Sequence, residues 1–205
     1  MITQNICPGI VGFLEMNKSI ICTGNPEFGV ASEIFHRWPQ TEFVGRTTWG
    51  YDLTENGYKH KLAEKALKYD VFINCSALWH YHQTMLLDVV FKSALKARKR
   101  LHLVSLGSTT DRTTKGADWQ YQQEKKALRS TSNALGLKGV WTGGPRVSYI
   151  SFGTLENNAE KHPGRRVMTL SEAVDCIEYA ISVPEHLNVA ELIVDPVQTD
   201  WPNED

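Results

Sequence analysis

A tyrosine and a lysine four residues apart, Tyr121 and Lys125, lie in a segment of good helix formers, Trp119–Leu128. Residues i and i+4 share one face of a helix, so the lysine ammonium is expected to approach the phenol. A free phenol has a pKa of about 10, and a nearby positive charge favours the phenolate. The spacing therefore predicts a tyrosine that transfers protons near neutral pH. The alternative interpretation is a half-buried tyrosine on an amphipathic helix with a solvated lysine.

Segments with strand and helix patterns alternate along the chain, and these elements must position the pair. Short apolar runs predict buried strands at Ser19–Gly24, Thr41–Thr48, Asp70–Leu78, Leu101–Leu106, Leu137–Gly144 and Ala190–Asp195. Helical spacing predicts helices at Phe28–Trp38, Gly57–Tyr69, Thr84–Arg100, Trp119–Leu135 and Ser171–Ser182. This alternation implies an α/β fold, a doubly wound parallel sheet with helices on both faces. Such sheets bind ligands beyond the carboxyl ends of their strands.

The length and charge of the chain limit the classes of function. A chain of 205 residues suits one domain, which we assign to residues 19–205, with residues 1–18 as an N-terminal extension. The formal net charge of −1 offers no bulk attraction for nucleic acid or an anionic membrane. No run approaches the roughly 18 apolar residues that cross a bilayer, and no secretion-signal pattern opens the chain. We therefore expect a cytoplasmic protein that binds neither nucleic acid nor membranes.

The spacing of cysteines and histidines gives little support for a metal site. The cysteines form no Cys-x-x-Cys motif and are interpreted as buried free thiols: Cys7, Cys22, Cys75 and Cys176. The two histidines of His80–His82 would face one way on a strand, but the sequence supplies no third ligand beside them. We assign no metal ligands.

The order of these motifs resembles the short-chain dehydrogenase/reductase family from about Ser19 to Asp195. The family's Tyr-x-x-x-Lys signature is similar to Tyr121 and Lys125, and the segment "LVSLGS" places Ser108 thirteen residues upstream of the tyrosine, where the family has its catalytic serine. The resemblance implies a Rossmann-type domain that binds NAD(P). It also implies that Tyr121 exchanges a proton with the substrate oxygen, that Ser108 hydrogen-bonds this oxygen, and that Lys125 holds the nicotinamide ribose.

The turn after the first strand resembles the family's glycine-rich phosphate turn with departures. Gly24 matches the pattern, Gly29 is displaced by one residue, Val30 replaces the last glycine, and Glu27 adds a negative charge. Glycine matters here because backbone amides must approach the pyrophosphate closely. The resemblance assigns cofactor contacts to Thr23, Gly24, Asn25, Phe28 and Gly29. The alternative is a tight strand-to-helix turn that binds no phosphate.

Other predicted cofactor residues follow the second and third strands. Arg46 stands where NAD-preferring members tend to carry an acidic residue, and an arginine would instead meet the 2′-phosphate of NADP. We therefore favour NADP over NAD. Asp52 and Leu53 resemble the family's segment beside the adenine, and Asn74 with Ala77 resembles its Asn-Asn-Ala-Gly turn. The alternatives are a solvated charge at Arg46 and a turn former at Asp52.

Further positions depart from the family pattern. Many members hold a proton-relay water with an asparagine, but no asparagine lies between Asn74 and Asn133, so the relay is unassigned. The family usually has Pro-Gly after the strand that we predict to end near Gly144. Here only Pro145 matches, and this alignment places Pro145 and Val147 beside the nicotinamide. The chain is also short where a substrate lid usually lies, which implies an open or reduced pocket.

These features predict an NADP-dependent carbonyl reductase or alcohol dehydrogenase, an atypical and shortened member of the short-chain type. Tyr121 would supply the proton, Ser108 would polarise the oxygen and Lys125 would lower the tyrosine pKa. We expect a small carbonyl or alcohol substrate and a homodimer or homotetramer. The alternatives are a non-catalytic dinucleotide-binding sensor or interaction protein on the same fold, and an α/β domain that binds no nucleotide.

Overall fold

Six parallel strands form one sheet in the computed structural model, which describes residues 18–112 and 119–197. The spatial order is β2-β1-β3-β4-β5-β6, and neighbouring strands pair in parallel. Their bounds are β1 Ile20–Thr23, β2 Glu42–Val44, β3 Val71–Asn74, β4 His102–Leu106, β5 Arg146–Phe152 and β6 Glu191–Val194. Residues 1–17 of the predicted N-terminal extension, which include Cys7, lie outside the described residues.

Helices cover both faces of this sheet. They are α1 Gly29–Arg37, α2 Arg46–Trp49, α3 Asn56–Ala66, α4 His82–Lys96, α5 Gln120–Thr142 and α6 Leu170–Ser182. Helices α1 and α6 pack against each other on one face, and α3, α4 and α5 pack on the other. The predicted doubly wound α/β fold is therefore confirmed. None of the helices described is long and apolar enough to cross a membrane.

Most residues of the inner strands are apolar because both faces of the sheet are covered. All four residues of β1 are buried. Ile20 and Cys22 belong to the core under α1 and α6, whereas Ile21 belongs to the core under α3, α4 and α5. Successive side chains of a strand point to opposite faces, so a strand buried on both sides needs a continuous apolar run.

The second strand is shorter than predicted. Thr41–Thr48 was expected to be a strand, but β2 ends at Val44 and α2 begins at Arg46. The ladder pairs Thr23, the last residue of β1, with Val44, and the carbonyl of Val44 accepts the amide of Gly24. Because β2 is the edge strand, it has no other neighbour to pair with beyond that point.

The segment Leu137–Gly144 was predicted to be a strand, and this prediction is wrong. This segment forms the last turns of α5, which runs to Thr142 and ends at Gly143 in the left-handed conformation, with φ +63. A Cβ on Gly139 would lie 1.9 Å from the carbonyl oxygen of Pro145, so glycine lets the helix pack directly against the start of β5. The fifth strand of the sheet is therefore β5, which begins at Arg146, nine residues after the predicted start at Leu137.

Candidate active site

A cleft of about 490 Å³ opens at the carboxyl edge of the sheet. Its walls come from the loops that follow β1, β2, β3, β4 and β5, together with the first turns of α5. This is the position at which doubly wound sheets bind ligands. Nine residues predicted to act in catalysis or cofactor binding line it: Gly24, Asn25, Phe28, Arg46, Asp52, Leu53, Ala77, Tyr121 and Lys125.

Glycine at position 24 lets the turn between β1 and α1 pack closely on that helix at the cleft wall. Gly24 has φ +135, and a Cβ there would lie 3.3 Å from the Cβ of Ala31. The displaced Gly29 is the first residue of α1 and has φ +56, a left-handed conformation that glycine adopts without strain. The preceding residue, Phe28, gives the helix no side-chain cap. An uncapped helix N-terminus at a cleft is suited to bind a phosphate.

Two predicted cofactor residues, Thr23 and Asn74, are fully buried behind this cleft. The Oγ1 atom of Thr23 accepts hydrogen bonds from the backbone amides of Cys75 and Ser76, each at 3.0 Å. The side-chain amide of Asn74 donates to the carbonyl oxygen of Gln83 at 3.0 Å. Both side chains therefore hold the cleft wall in place, and the direct cofactor contacts predicted for them are corrected to supporting ones.

The far end of the cleft carries Arg46 and Asp52. Arg46 is exposed on the rim at the start of α2. The Oδ1 atom of Asp52 accepts the hydroxyl of Thr54 at 2.6 Å and the Thr54 amide at 2.9 Å, and these bonds lower the pKa of Asp52. Leu53 is buried and packs in the core under α3, α4 and α5. Asp52 thus forms a turn and lines the cleft at the same time.

Ser108 and Tyr121 meet at the near end of the cleft. Ser108 follows β4, its hydroxyl accepts the Thr110 hydroxyl at 3.0 Å, and it lies close enough to the Tyr121 phenol to lower the pKa of that group. Burial raises the pKa of Tyr121, and Ser108 opposes this only in part. The sequence predicted the opposite direction for this pKa. The prediction failed because it counted the charge of Lys125 and not the loss of solvent around the phenol.

Lys125 lies under the ring of Tyr121 rather than beside its hydroxyl. Its Nζ atom is 5.5 Å from the ring centroid and donates to Oε1 of Gln83 at 2.8 Å and to the carbonyl oxygen of Leu106 at 3.1 Å. Burial lowers the pKa of Lys125 to about 8. The ammonium is therefore a fixed charge beneath the phenol, held by a residue that the sequence analysis did not identify.

That residue, Gln83, joins three elements. Its Nε2 atom donates to the carbonyl oxygens of Asn74 at 2.9 Å and Leu106 at 3.1 Å, while its Oε1 atom accepts Lys125. It is 4% exposed. No motif marks it in the sequence, because it precedes the apolar run Thr84–Arg100 that indicated the helix. Gln83 therefore fixes the ammonium of Lys125, a role that the sequence assigned to no residue.

Pro145 and Val147 are not part of the site, which corrects their predicted cofactor role. Arg146 pairs with His102, the first residue of β4, so Pro145 and Val147 lie at the amino edge of the sheet, opposite the cleft. Val147 is 1% exposed in the core. The error follows from the misplaced strand. Phe152, at the end of β5, and Leu155, in the loop after it, line the cleft instead.

Aromatic side chains surround the candidate catalytic tyrosine. The indoles of Trp79 and Trp119 lie 5.9 Å and 5.6 Å from the Tyr121 ring, measured between centroids. The neighbouring His80 and Tyr81 adopt left-handed backbone conformations in a turn before α4, so the histidines do not lie on a strand as expected. Within the described parts of the chain, no group of three or more His, Cys, Asp or Glu side chains is arranged to hold a metal ion.

Comparison with known proteins gives the fold. No family model and no curated protein matches the sequence. The closed form of a serine dehydrogenase complexed with NADP+ superposes with a TM-score of 0.71 at 13% identity, covering 91% of this chain and 98% of that one. A 4-hydroxyisoleucine dehydrogenase complexed with NADH gives 0.68 at 15% identity, covering 86% and 96%. A short-chain dehydrogenase from Burkholderia cenocepacia J2315 in complex with NADP gives 0.67 at 14% identity, covering 85% and 87%. The chain therefore has the fold of these dehydrogenases.

Proposed function

We propose that the protein belongs to the short-chain dehydrogenase/reductase family and transfers hydride between NADP(H) and a small carbonyl or alcohol substrate. The observation that carries this proposal is the meeting of Ser108, Tyr121 and Lys125 beside one cleft that also contains the β1–α1 turn. The similar structures that hold NADP+ or NADH support a nicotinamide dinucleotide as the cofactor.

The residues around the cleft fit such a cofactor. The uncapped start of α1 beside the cleft suits a pyrophosphate, Gly24 lines the same cleft, and the cleft volume lies in the range of ordinary ligand sites. Arg46 would hold a 2′-phosphate, and Lys125 would hold the nicotinamide ribose. When bound, the nicotinamide supplies or accepts the hydride.

The acid–base step is assigned to Tyr121. Its raised pKa keeps the phenol protonated near neutral pH, which suits a proton donor in carbonyl reduction. The Ser108 hydroxyl lies near enough to this phenol to lower its pKa, and the two groups would share the substrate oxygen. The charge of Lys125 beneath the ring stabilises the phenolate that remains after the proton leaves.

Turnover of NADPH against a panel of aldehydes and ketones tests the proposed activity, with NADPH titration by fluorescence run beside it. We expect binding and substrate-dependent oxidation of NADPH. Failure to bind either NADPH or NADH would favour an α/β domain that binds no nucleotide.

Cofactor preference is tested at Arg46. We expect NADPH to bind more tightly than NADH and Arg46→Ala to remove most of this difference, roughly 1.5–3 kcal/mol for a hydrogen bond to a charged group. The matched control is Lys138→Ala, which removes one exposed positive charge from α5 outside the cleft. Equal affinity of the unmutated protein for both cofactors would refute the preference.

A non-catalytic dinucleotide sensor or interaction protein is the second candidate. It is favoured by the two hydrogen bonds that engage Lys125 with Gln83 and Leu106, since a lysine held in this way is less free to reach a ribose. Tight NADPH binding without turnover of any substrate in a broad panel would support this candidate.

We also propose a homodimer or homotetramer. Support comes from large apolar side chains that are exposed on the last turns of α5: Leu137, Val140 and Trp141. At a protein concentration on the order of tens of micromolar, which would populate an oligomer of moderate affinity, light scattering should give at least twice the mass of the chain. A monomer at that concentration would contradict the proposal.

A further inference from the structure

Two cysteines lie on the same side of neighbouring strands. Cys22 of β1 pairs in register with Ile73 of β3, and Cys75 follows Ile73 by two residues. Residues two apart in extended backbone point to the same face of a sheet. Cys22, Ile73 and Cys75 accordingly pack together in the core under α1 and α6.

Local hydrogen bonds to Thr23 position both cysteines. The amide of Cys75 donates to Oγ1 of Thr23 at 3.0 Å, which keeps the end of β3 beside the end of β1. The Cys22 thiol donates to the carbonyl oxygen of Thr23 at 3.5 Å. Both cysteines are therefore fixed at the same residue, and burial together with the nearby Cys75 thiol raises the pKa of Cys22.

Only one of the two thiols faces the cleft. Cys75 lines it together with Gly24 and Lys125, and its Sγ atom lies 4.0 Å from the position of a Cβ on Gly24. Cys22 is fully buried behind it. Lys125 lines the same cleft as Cys75. A small molecule in the cleft can thus reach Cys75 first.

We propose that Cys22 and Cys75 form a modification site, at which a hydroperoxide oxidises Cys75 and the pair closes to an intramolecular disulfide beneath the cleft. In the first step the Cys75 thiol releases its proton to solvent and the thiolate attacks the peroxide oxygen. The O–O bond breaks, Cys75 becomes a sulfenic acid, and the leaving hydroxide or alkoxide takes up a proton to become water or an alcohol. In the second step the Cys22 sulfur displaces the sulfenic hydroxyl and water leaves. Two electrons pass from the sulfurs to the peroxide, and an added dithiol reverses the change.

The disulfide alters the proposed cofactor site, and this consequence rests on the proposed function. A disulfide brings two sulfurs to about 2.05 Å, closer than two thiols in contact. The cleft wall that begins at Cys75 must therefore move toward β1, and we expect NADPH to bind roughly tenfold more weakly. Bound NADPH in turn covers Cys75 and slows its oxidation.

Mass spectrometry of the full chain tests the site. The protein is treated with hydrogen peroxide, unfolded, alkylated with iodoacetamide and digested. We expect one linked peptide that contains Cys22 and Cys75 in the unmutated protein and in the control Cys176→Ser, and reversal by dithiothreitol. Cys22→Ser should leave Cys75 as a sulfenic acid that dimedone labels, and Cys75→Ser should leave Cys22 free.

The outcomes separate this proposal from the proposed function. Full alkylation of Cys22 and Cys75 after peroxide treatment, or a disulfide that joins either of them to another cysteine, would overturn the modification site. The linked peptide, formed at the same rate with and without saturating NADPH, would uphold the site and count against the proposed position of the cofactor. If the reduced protein does not bind NADPH but the linked peptide forms, the proposed function is refuted and the modification site is retained.

Discussion

Tyr121 shows how burial and charge act on one side chain. The Tyr121 ring lies beside the rings of Trp79 and Trp119, and burial raises the pKa of its phenol. Lys125 lies beneath the ring, where its charge acts on the phenolate once the proton has left. The pair therefore favours a protonated tyrosine that becomes a stabilised anion during reduction.

Substitution of Tyr121 separates proton transfer from cofactor binding. Tyr121→Phe keeps the ring and removes the hydroxyl, so carbonyl reduction should fall by a factor of about 10² or more while NADPH affinity is retained. Lys125→Ala should lower both turnover and affinity, because it removes a charge and a proposed ribose contact. Steady-state kinetics and fluorescence titration measure the two effects. The control is Tyr179→Phe on α6, an exposed tyrosine away from the cleft; parental turnover in Tyr121→Phe would show that the assigned mechanism is wrong.

Contact between α5 and β5 decides where the last part of the site lies. Ser132, Gly136 and Gly139 are buried on one side of α5, and a Cβ on Gly136 would lie 3.2 Å from the carbonyl oxygen of Val147. Small side chains allow this close packing of the helix on the strand. The helix therefore continues past the predicted end, and β5 carries Phe152 to the cleft.

A methyl group at this contact should destabilise the protein. Gly139→Ala forces a Cβ to 1.9 Å from the Pro145 oxygen, so the free energy of unfolding should fall by about 2–3 kcal/mol. Gly57→Ala in α3 is the matched control, because a Cβ at Gly57 meets nothing within 4 Å. That variant should be unchanged or more stable by about 0.5 kcal/mol. Urea denaturation measures both variants, and equal stability of the two would contradict the proposed close packing.

The buried charge of Lys125 links the stability of the whole protein to pH. Its pKa is about 8 in the folded chain and has its usual value of 10.5 when the chain is unfolded. Between pH 8 and pH 10.5 the unfolded chain binds one more proton at Lys125 than the folded chain does. The buried ammonium therefore lowers the free energy of unfolding most below pH 8, and this loss disappears as the pH rises to 10.5.

The prediction is measured as a difference between proteins. The free energy of unfolding of the unmutated protein minus that of Lys125→Met should rise by about 3 kcal/mol from pH 7 to above pH 10. Lys126→Met, which removes a half-exposed ammonium one residue away, should give a difference that changes far less. A flat difference for Lys125→Met would mean that the lysine is solvated in the folded protein.

The pattern of the sequence determined the class of fold and the segments that form most of the cleft. Buried parallel strands are mostly apolar, and turns and helix faces have local signatures, so the bounds of β1, β3 and β4 could be predicted to within four residues. The spacing of Tyr121 and Lys125 placed both on one helix that lines the cleft. These properties depend on residues near each other in the chain.

Tertiary packing decided the rest. The length of α5 depends on its contact with Pro145 and Val147, which no local period reveals, and for that reason the fifth strand and its two assigned site residues were misplaced. The partner of Lys125 is Gln83, 42 residues away, and the pKa of Tyr121 is set by burial among distant segments. Sequence spacing fixes which side chains share an element, whereas solvent exclusion and long-range hydrogen bonds exist only once the elements have packed.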